Sequence, residues 1–419
     1  MRFRTGLAIV AVIGILLGAT VVGFEGLFDS GGELTVRWTS DTARPNMNGN
    51  HHAPAAARVG DHGMIFAPIS GAGGSTCALL ALNASNGSTV WSDPVAPANC
   101  TIHSVADPTV ADYDADGLGE VLAATTEEAV LAYEPHTGTQ EFRQNLSDYG
   151  YTQPVVADLT GDDTKEVIAV DVQGTISVFR PDGTTVWTNR LASYTWGQPA
   201  VADFDSDGAN ELVVGLGGGG NLTVYEGDGR RRWKRAAPFD SSITWMTTGQ
   251  ADGDPAIEIA VGTTGGVVAV VDGASGDSEW RRDVGDLAAV RALGDGDGDG
   301  APELYATAKD GALRSLDASN GTIEWETTLT SADVGMMPPP SMADLDGDGE
   351  SEIVAATNDG LVSVLNPNSG EILATYERAG EVPIYVHPTV GDTDRDGTAE
   401  IYVMYGDGRV VALAYHSQG

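Results

Sequence analysis

The residues with the clearest chemical potential are acidic side chains that alternate with glycine in short loops. In one such loop, carboxylates stand at relative positions 1, 3, 5 and 9: Asp344, Asp346, Asp348 and Glu352. Glycines at positions 4 and 6 allow the backbone to bend so that these oxygens converge. Converging carboxylates repel one another unless a cation lies between them, and a set of oxygen ligands favours calcium. The loop is shorter than an EF-hand loop, because its last carboxylate stands at position 9 and begins a strand.

This loop occurs seven times, with starts 45 to 49 residues apart. Five copies have all four carboxylates and a glycine at position 6: Asp112, Asp114, Asp116 and Glu120; Asp203, Asp205, Asp207 and Glu211; Asp295, Asp297, Asp299 and Glu303; Asp344, Asp346, Asp348 and Glu352; and Asp392, Asp394, Asp396 and Glu400. Two copies are incomplete, since Thr160 and Gln250 each replace an acid, and Asp163 and Pro255 replace the glycine. Their remaining acids are Asp158, Asp162 and Glu166, and Asp252, Asp254 and Glu258. We expect several structural calcium ions at these loops; ordinary turns with solvated acids are the alternative.

The elements around each loop predict the fold. Each loop is followed by an apolar run, a glycine-containing turn, another strand, a second turn and usually a tryptophan that we expect to pack between repeats. Four short strands per repeat are typical of a propeller blade, so we predict an all-β, eight-bladed β-propeller of four-stranded antiparallel blades. The first repeat, residues 52–91, lacks the acidic loop, and the last ends without its outer strand. Residues 33–38, ELTVRW, are similar to that missing strand, so we predict that they close the ring by completing the last blade.

A second set of residues stands just before each innermost strand, where a propeller has the mouth of its central channel. This set contains His52, His103, Tyr151, Tyr194, Trp196, Trp245, Met337, Tyr385 and His387. Aromatic side chains there could stack on a sugar, a peptide or a flat cofactor. The alternative is that they pack against one another and plug the channel.

The N-terminal residues 1–28 have the pattern of an export segment. Arg2 and Arg4 precede an uncharged run, residues 5–24, that is long enough to cross the roughly 30 Å hydrocarbon layer as a helix. We predict a transmembrane signal anchor, with a cleaved signal peptide as the alternative. Residues 29–419 would then form the propeller outside the cytoplasm, either anchored to the membrane by that helix or secreted.

Composition limits the partners of the exported part. The net charge is −38, with 60 acidic and 22 basic residues. The negative electrostatic field of such a chain disfavours binding to nucleic acid and to anionic membrane surfaces. We therefore expect membrane contact only through the N-terminal helix. The two cysteines, Cys77 and Cys100, both lie near the first repeat, and outside the cytoplasm we expect them to form a disulfide; two buried thiols are the alternative.

Two sets of motifs resemble known families. The acidic loops resemble FG-GAP (integrin-α-like) and VCBS repeats, and the segments ALNASNGSTVW and SLDASNGTIEW resemble the PQQ-like propeller repeat. The acidic, lysine-poor composition resembles proteins of extreme halophiles, in which salt screens self-repulsion. The resemblance to the propeller families implies one calcium ion per acidic loop, with ligand binding on the opposite face and in the channel.

No motif for a catalytic nucleophile, a zinc protease or a phosphate-binding loop occurs in the chain. We therefore interpret the protein as an extracytoplasmic calcium-binding propeller, a monomeric adhesion or scaffold module for a cell-surface glycan or protein. The alternative is an enzyme that uses the central channel, either a PQQ-like quinoprotein oxidoreductase or a polysaccharide lyase. The first would be expected to have adjacent cysteines, which this chain lacks, and the second would rely on Arg291 as a channel base.

Overall fold

Short apolar runs separated by Gly- and Asp-containing turns form 32 β-strands in the described part of the computed structural model. The structure describes residues 31–418 except 45, 46, 48, 72–75, 237 and 238. The predicted N-terminal helix, residues 1–28, lies outside the described residues. Among the residues that are described, no helix is long and apolar enough to cross a membrane.

The strands form eight four-stranded antiparallel sheets, and this confirms the predicted eight-bladed propeller. Blades 1 and 2 contain β2 (Ala55–Val59), β3 (His62–Ile69), β4 (Ala78–Asn83) and β5 (Thr89–Pro94), then β6 (Thr109–Ala111), β7 (Glu120–Thr125), β8 (Ala129–Tyr133) and β9 (Gln140–Asn145). Blades 3 and 4 contain β10 (Val155–Ala157), β11 (Glu166–Val170), β12 (Thr175–Phe179) and β13 (Thr185–Arg190), then β14 (Ala200–Ala202), β15 (Glu211–Gly215), β16 (Leu222–Tyr225) and β17 (Arg231–Arg235). A 3-10 turn, Pro97–Asn99, connects blades 1 and 2.

The second half of the ring repeats this plan. Blades 5 and 6 contain β18 (Ile243–Gly249), β19 (Glu258–Thr263), β20 (Val267–Val271) and β21 (Ser278–Asp283), then β22 (Ala289–Gly294), β23 (Glu303–Thr307), β24 (Ala312–Asp317) and β25 (Ile323–Thr328). Blade 7 contains β26 (Ser341–Ala343), β27 (Glu352–Ala356), β28 (Leu361–Leu365) and β29 (Ile372–Glu377), and blade 8 contains β30 (Thr389–Gly391), β31 (Glu400–Met404) and β32 (Val410–Ser417). In each blade the first strand lies next to the central channel.

Blade 8 is completed by the N-terminal strand β1 (Gly32–Thr39), and this confirms the predicted ring closure. Strand β1 pairs antiparallel with β32, placing Leu34 opposite Tyr415 and Trp38 opposite Ala412. The last blade therefore combines both ends of the propeller, and pairing of its outer edge removes an exposed strand edge.

The hydrophobic core lies between neighbouring blades rather than inside any one blade. The middle strands are buried on both faces, so strands such as β7 and β11 consist entirely of buried residues. One core cluster joins blades 8 and 1 through Trp38, Ile65, Leu80 and Tyr402. Apolar burial of this kind is the main favourable term in folding, and it requires every blade to have a neighbour on each side.

Polar contacts also connect the blades around the channel. Thr109 donates a hydrogen bond to the Pro154 carbonyl of the next blade at 2.5 Å, and Thr389 donates to the Pro54 carbonyl at 2.7 Å. Cys77, just before β4, forms a disulfide with Cys100, just after the 3-10 turn. The disulfide therefore fixes the segment that connects blades 1 and 2 to a strand end of blade 1.

Candidate functional site

The seven acidic loops all lie on one face of the ring. Each connects the first strand of a blade to the second, as the spacing predicts. The glutamate at position 9 is the first residue of the second strand in every copy: Glu120, Glu166, Glu211, Glu258, Glu303, Glu352 and Glu400. The channel-mouth residues precede the first strand of a blade, or lie near its start as Trp245 does in β18, so they lie on the opposite face.

The backbone of these loops has one conformation despite their different sequences. Position 4 has a positive φ in every copy, and it is Ala115, Ser206 and Arg395 in three of them. A non-glycine residue in this region costs about 1–2 kcal/mol, so other contacts must hold the loop. One such contact, made in every copy except that of blade 5, is the amide of position 6, which donates to the first aspartate; Gly300, for example, donates to Asp295 Oδ2 at 3.0 Å.

The glutamate at position 9 is buried beneath its loop. Its Oε2 accepts the amide of position 2, as Glu211 does from Phe204 at 2.9 Å. The other oxygen of Glu211 and that of Glu258 are buried without a hydrogen-bond partner among the described residues. Burial, reinforced by nearby aspartates, raises the pKa of Glu120, Glu211, Glu258, Glu303 and Glu352 to about 7.

The carboxylates converge as a cation site requires. In the loop of blade 6, Asp295, Asp297, Asp299 and Glu303 each place one oxygen within 4.8 Å of the others. Similar groups of three form in the loops that begin at Asp112, Asp203 and Gln250. Such converging oxygens fit a hard divalent cation such as calcium. In two of the loops, a buried glutamate oxygen without a hydrogen-bond partner among the described residues also fits this interpretation.

The acidic loops differ in whether an arginine contacts their carboxylates. Arg180 contacts Asp162, Arg232 contacts Asp205, and Arg37 of β1 contacts Asp394 and Glu400. In the part of the chain that the structure describes, no arginine or lysine pairs with the carboxylates of the loops that begin at positions 112, 250, 295 and 344. The complete loops of blades 2, 6 and 7 are therefore the best candidates for a bound cation.

In the two incomplete loops, the residue that replaces an aspartate makes hydrogen bonds. In blade 3, the Thr160 hydroxyl donates to Glu166 Oε1 at 2.9 Å. In blade 5, the Gln250 amide donates to the carbonyls of Asp254 and Ala256 at 2.6 and 2.9 Å. Each substituted side chain thus supplies a hydrogen bond inside its own loop.

On the opposite face, the residues predicted for the channel mouth line a cavity of about 420 Å³. The predicted residues around it are His52, His103, Tyr151, Tyr194, Trp196, Trp245, Met337 and Tyr385. His387 does not line the cavity and is buried deeper, where its Nδ1–H donates to the Pro388 carbonyl at 3.1 Å. The cavity shows that these side chains leave space at the mouth instead of filling it.

Aromatic contacts connect the side chains along one side of this cavity. Tyr151 lies 4.9 Å from His103 and 5.8 Å from Tyr194, measured between ring centroids. Trp196 donates its indole N–H to the Tyr151 hydroxyl at 3.0 Å, and the residue is 39% exposed. These contacts join the aromatic side chains into one wall of the cavity.

Polar groups form the floor of the cavity. Asp107 accepts hydrogen bonds from His52 Nδ1 at 2.8 Å and from the Ala53 amide at 3.1 Å. Burial by itself would raise the pKa of Asp107, but the contact with His52 outweighs it and holds that pKa below its ordinary value. The side chain of Arg291 is exposed to solvent in the channel. The surrounding ring nevertheless lowers the pKa of Arg291, because this effect is larger than the increase caused by the negative charge of Asp107.

Three histidines near the floor, His51, His103 and His387, have pKa values below the ordinary value for histidine. Burial, with repulsion from His52, lowers the pKa of His51 to about 4. Burial, with repulsion from His51 and His52, lowers the pKa of His103 to about 3. Burial and the charge of Arg291 lower the pKa of His387 to about 3.

The sequence did not single out two residues that matter for this floor. Asp107 precedes a first strand like the other mouth residues, in the segment IHSVADP, but an Asp-Pro pair also has the pattern of an ordinary turn. His51 was visible as one of two adjacent histidines, but its contact with His103, 52 positions later, depends on the fold.

The sequence profile of the outer membrane protein assembly factor BamB family matches residues 79–297 and 258–418. The matched segments cover most of the chain, so the protein belongs to this family of PQQ-like propellers. No curated protein matches the chain.

Solved structures with low sequence identity share the fold. The V. cholerae biofilm matrix protein Bap1 superposes with a TM-score of 0.71 at 14% identity, covering 92% of this chain and 91% of that chain. BamB from Moraxella catarrhalis has a TM-score of 0.61 at 16% identity, covering 91% and 97%. The quinohemoprotein alcohol dehydrogenase ADHIIG from Pseudomonas putida HK5 has a TM-score of 0.64 at 12% identity, covering 92% and 76%.

Proposed function

We propose that this protein is an extracytoplasmic scaffold propeller that binds an exposed segment of another exported protein at its channel mouth. The observation that carries the proposal is the cavity of about 420 Å³, with its wall of aromatic rings. Its volume lies within the range of ligand pockets, and it is large enough for one or two apolar side chains. Membership of the assembly factor family supports a protein partner and a location outside the cytoplasm.

The chemistry of the cavity favours a peptide segment over a glycan. Tyr194, Trp196, Trp245 and Met337 surround it with mainly apolar surface. Polar side chains are concentrated on the floor, where Asp107 is already bound to His52. A sugar would bring many hydroxyl groups into this space, and hydroxyls that lose water without a new partner cost affinity. An aromatic or aliphatic side chain would instead bury its surface against the rings.

A binding assay with two kinds of probe tests this function. A peptide library displayed on phage and a glycan array are both presented to the purified protein. We expect selected peptides to contain aromatic or large aliphatic residues and to bind with micromolar Kd. Trp196→Ala should weaken them about tenfold or more, as for loss of an aromatic contact in a binding pocket.

Val90→Ala is the matched control, because Val90 is 47% exposed on the outer strand of blade 1 and lies outside the cavity. Binding of glycans alone, or of peptides equally well by the Trp196 variant, would overturn the proposal.

We propose further that calcium ions in the complete acidic loops stiffen the blades. Each ion would replace repulsion among the carboxylates with attraction, joining the first and second strands of its blade. We expect chelation to lower Tm by many degrees and re-addition of calcium to restore it, as measured by calorimetry. Glu303→Gln should remove about one bound ion per chain, as measured by elemental analysis, whereas Glu371→Gln, at an exposed hairpin turn, should remove none. An unchanged Tm after chelation contradicts a structural role.

The quinoprotein alternative would be expected to place a disulfide of adjacent cysteines over its cofactor, and the cysteines of this chain weigh against it. The chain has two cysteines, and the disulfide between them lies beside the link from blade 1 to blade 2 and does not line the cavity. A polysaccharide lyase is the second candidate, because Arg291 is an accessible cation within the channel that could contact a uronate carboxylate. Its test is the ultraviolet absorbance of unsaturated product from uronate polysaccharides, with Arg291→Gln as the inactive control.

A further inference from the structure

We propose that His51, His52 and His103 form a binding site for a divalent transition-metal ion, such as Zn²⁺, at the channel mouth. One ring nitrogen from each histidine lies within 4.8 Å of the other two. His51 and His52 come from the segment before blade 1, and His103 comes from the link between blades 1 and 2. Three imidazoles with an open fourth position are a ligand set that zinc accepts in proteins.

The histidines are oriented as metal ligands are. His52 Nδ1 donates to Asp107 at 2.8 Å, so its other nitrogen, Nε2, is left free. His51 Nδ1 contacts the Gly49 carbonyl at 2.7 Å, which likewise leaves Nε2 of His51 for another contact. A carboxylate or a carbonyl behind the ring fixes the tautomer and raises the basicity of the ligating nitrogen.

A second observation points independently to a missing ligand. His52 is 3% exposed, and its Nε2 is buried without a hydrogen-bond partner among the described residues. A buried polar atom without a partner costs free energy. A metal ion bound to His52 Nε2 would remove this cost.

The distance between His51 and His103 requires only a small adjustment. His51 Nε2 and His103 Nδ1 are 2.8 Å apart. Two nitrogens on a tetrahedral zinc ion are about 3.3 Å apart, given Zn–N bonds of roughly 2.0–2.1 Å. His103 is partly exposed in a loop, so its ring can move by the few tenths of an ångström that binding requires.

The site would add a function to the cavity. All three histidines line the cavity at the channel mouth, next to Tyr151. A metal ion held by three histidines keeps one coordination position for an external donor. The ion would therefore offer a bound molecule a polar anchor within a mainly apolar cavity.

The test is titration of the full-length protein with Zn²⁺ alone by calorimetry, in saturating calcium so that the acidic loops are blocked. We expect one equivalent of zinc to bind with micromolar or lower Kd. His103→Gln and His52→Gln should each weaken binding about 100-fold, and Asp107→Asn by about 10–100-fold. Co²⁺ in place of zinc should give the intense visible bands of a tetrahedral site in the wild type and not in the His103 variant.

His136→Gln is the matched control, because His136 lies 5.7 Å from His62, ring to ring, at a site outside the channel. This variant should bind zinc like the wild type. The proposal is overturned if the wild type binds no zinc under these conditions. It is also overturned if the His103 variant, shown to be folded by an unchanged Tm, binds zinc with wild-type affinity.

Discussion

At the scale of single residues, one contact recurs at the junctions between blades. A tryptophan on the outer strand lies against a glycine in the last hairpin turn of the next blade and donates its indole N–H to a carbonyl of that turn. The six tryptophans that do so are Trp38, Trp91, Trp187, Trp233, Trp280 and Trp325. This contact combines apolar burial with a hydrogen bond, and it leaves no room for a side chain at the glycine.

Gly321→Ala tests this packing. Gly321 has φ +70°, and a Cβ there would lie 2.4 Å from the Trp280 ring. We expect a loss of about 2–4 kcal/mol in the free energy of unfolding, because a left-handed alanine and overpacking each cost about 1–3 kcal/mol. Gly60→Ala is the control, since Gly60 has φ +57° but nothing within 4 Å. Equal losses for both variants, measured by denaturant unfolding, would show that the tryptophan contact contributes nothing.

A half-buried ion pair between blades 7 and 8 predicts a dependence on pH. Arg378 contacts both oxygens of Asp407, at 3.0 and 2.7 Å. Burial by itself would raise the pKa of Asp407, but the Arg378 contact outweighs burial and holds that pKa below its ordinary value. The pair therefore contributes stability above about pH 4, and this contribution is lost as pH falls through the lowered pKa.

Asp407→Asn should accordingly lower the free energy of unfolding at pH 7 by about 1–3 kcal/mol. The difference from the wild type should shrink as pH falls below about 4. Asp228→Asn is the control, because Asp228 occupies a similar Asp-Gly-Arg turn but pairs with the exposed Arg230. Thermal unfolding at several pH values measures both variants, and a difference that grows on acidification would contradict this assignment.

At the scale of elements, strand β1 has two separate roles. It completes the edge of blade 8, and its Leu34 belongs to the core between blades 7 and 8. Its Arg37 also reaches the acidic loop of blade 8, contacting Asp394 at 2.9 Å. The strand therefore links ring closure to the charge balance of that loop.

Deletion of Gly32–Trp38 should open the ring. Loss of the strand would leave the edge of β32 unpaired and expose the core on both sides of blade 8. We expect aggregation or a strongly lowered Tm, measured by size-exclusion chromatography and calorimetry. Addition of the eight-residue peptide GELTVRWT should partly restore the folded monomer, whereas a scrambled peptide should not. A monomeric deletion variant with unchanged Tm would refute the closing role.

At the scale of the whole molecule, the net charge of −38 works against compactness. Even seven bound divalent ions would leave a net charge of −24, because −38 + 14 = −24. The arginine contacts at three acidic loops reduce the repulsion locally and leave the total unchanged. Dissolved salt is therefore the remaining source of screening.

Salt should accordingly stabilise the protein. Raising NaCl from about 0.1 M to about 1 M shortens the Debye length from about 10 Å to about 3 Å, so repulsion between surface carboxylates weakens. We expect Tm to rise by several degrees in calorimetry with calcium held constant. Sucrose of matched osmolality is the control for general solvent effects. A Tm independent of NaCl would show that surface repulsion does not limit stability.

The sequence by itself determined the repeat, the number of blades and the closing strand. These follow from local patterns, since strand period, turn residues and the position-9 glutamate each act over a few residues. The presence of acids in the loops was equally visible. The placement of Arg37 beside the loop of blade 8 was not, because the two are more than 350 residues apart in sequence.

Only the tertiary structure decided how the channel mouth is arranged. Local sequence could name aromatic and histidine residues before each first strand, but not whether they would fill the channel. The ring brings together residues from different blades, and so creates a cavity, the His52–Asp107 contact and the cluster of three histidines. Each of these depends on the radius and closure of the ring, which are global properties of how eight blades pack.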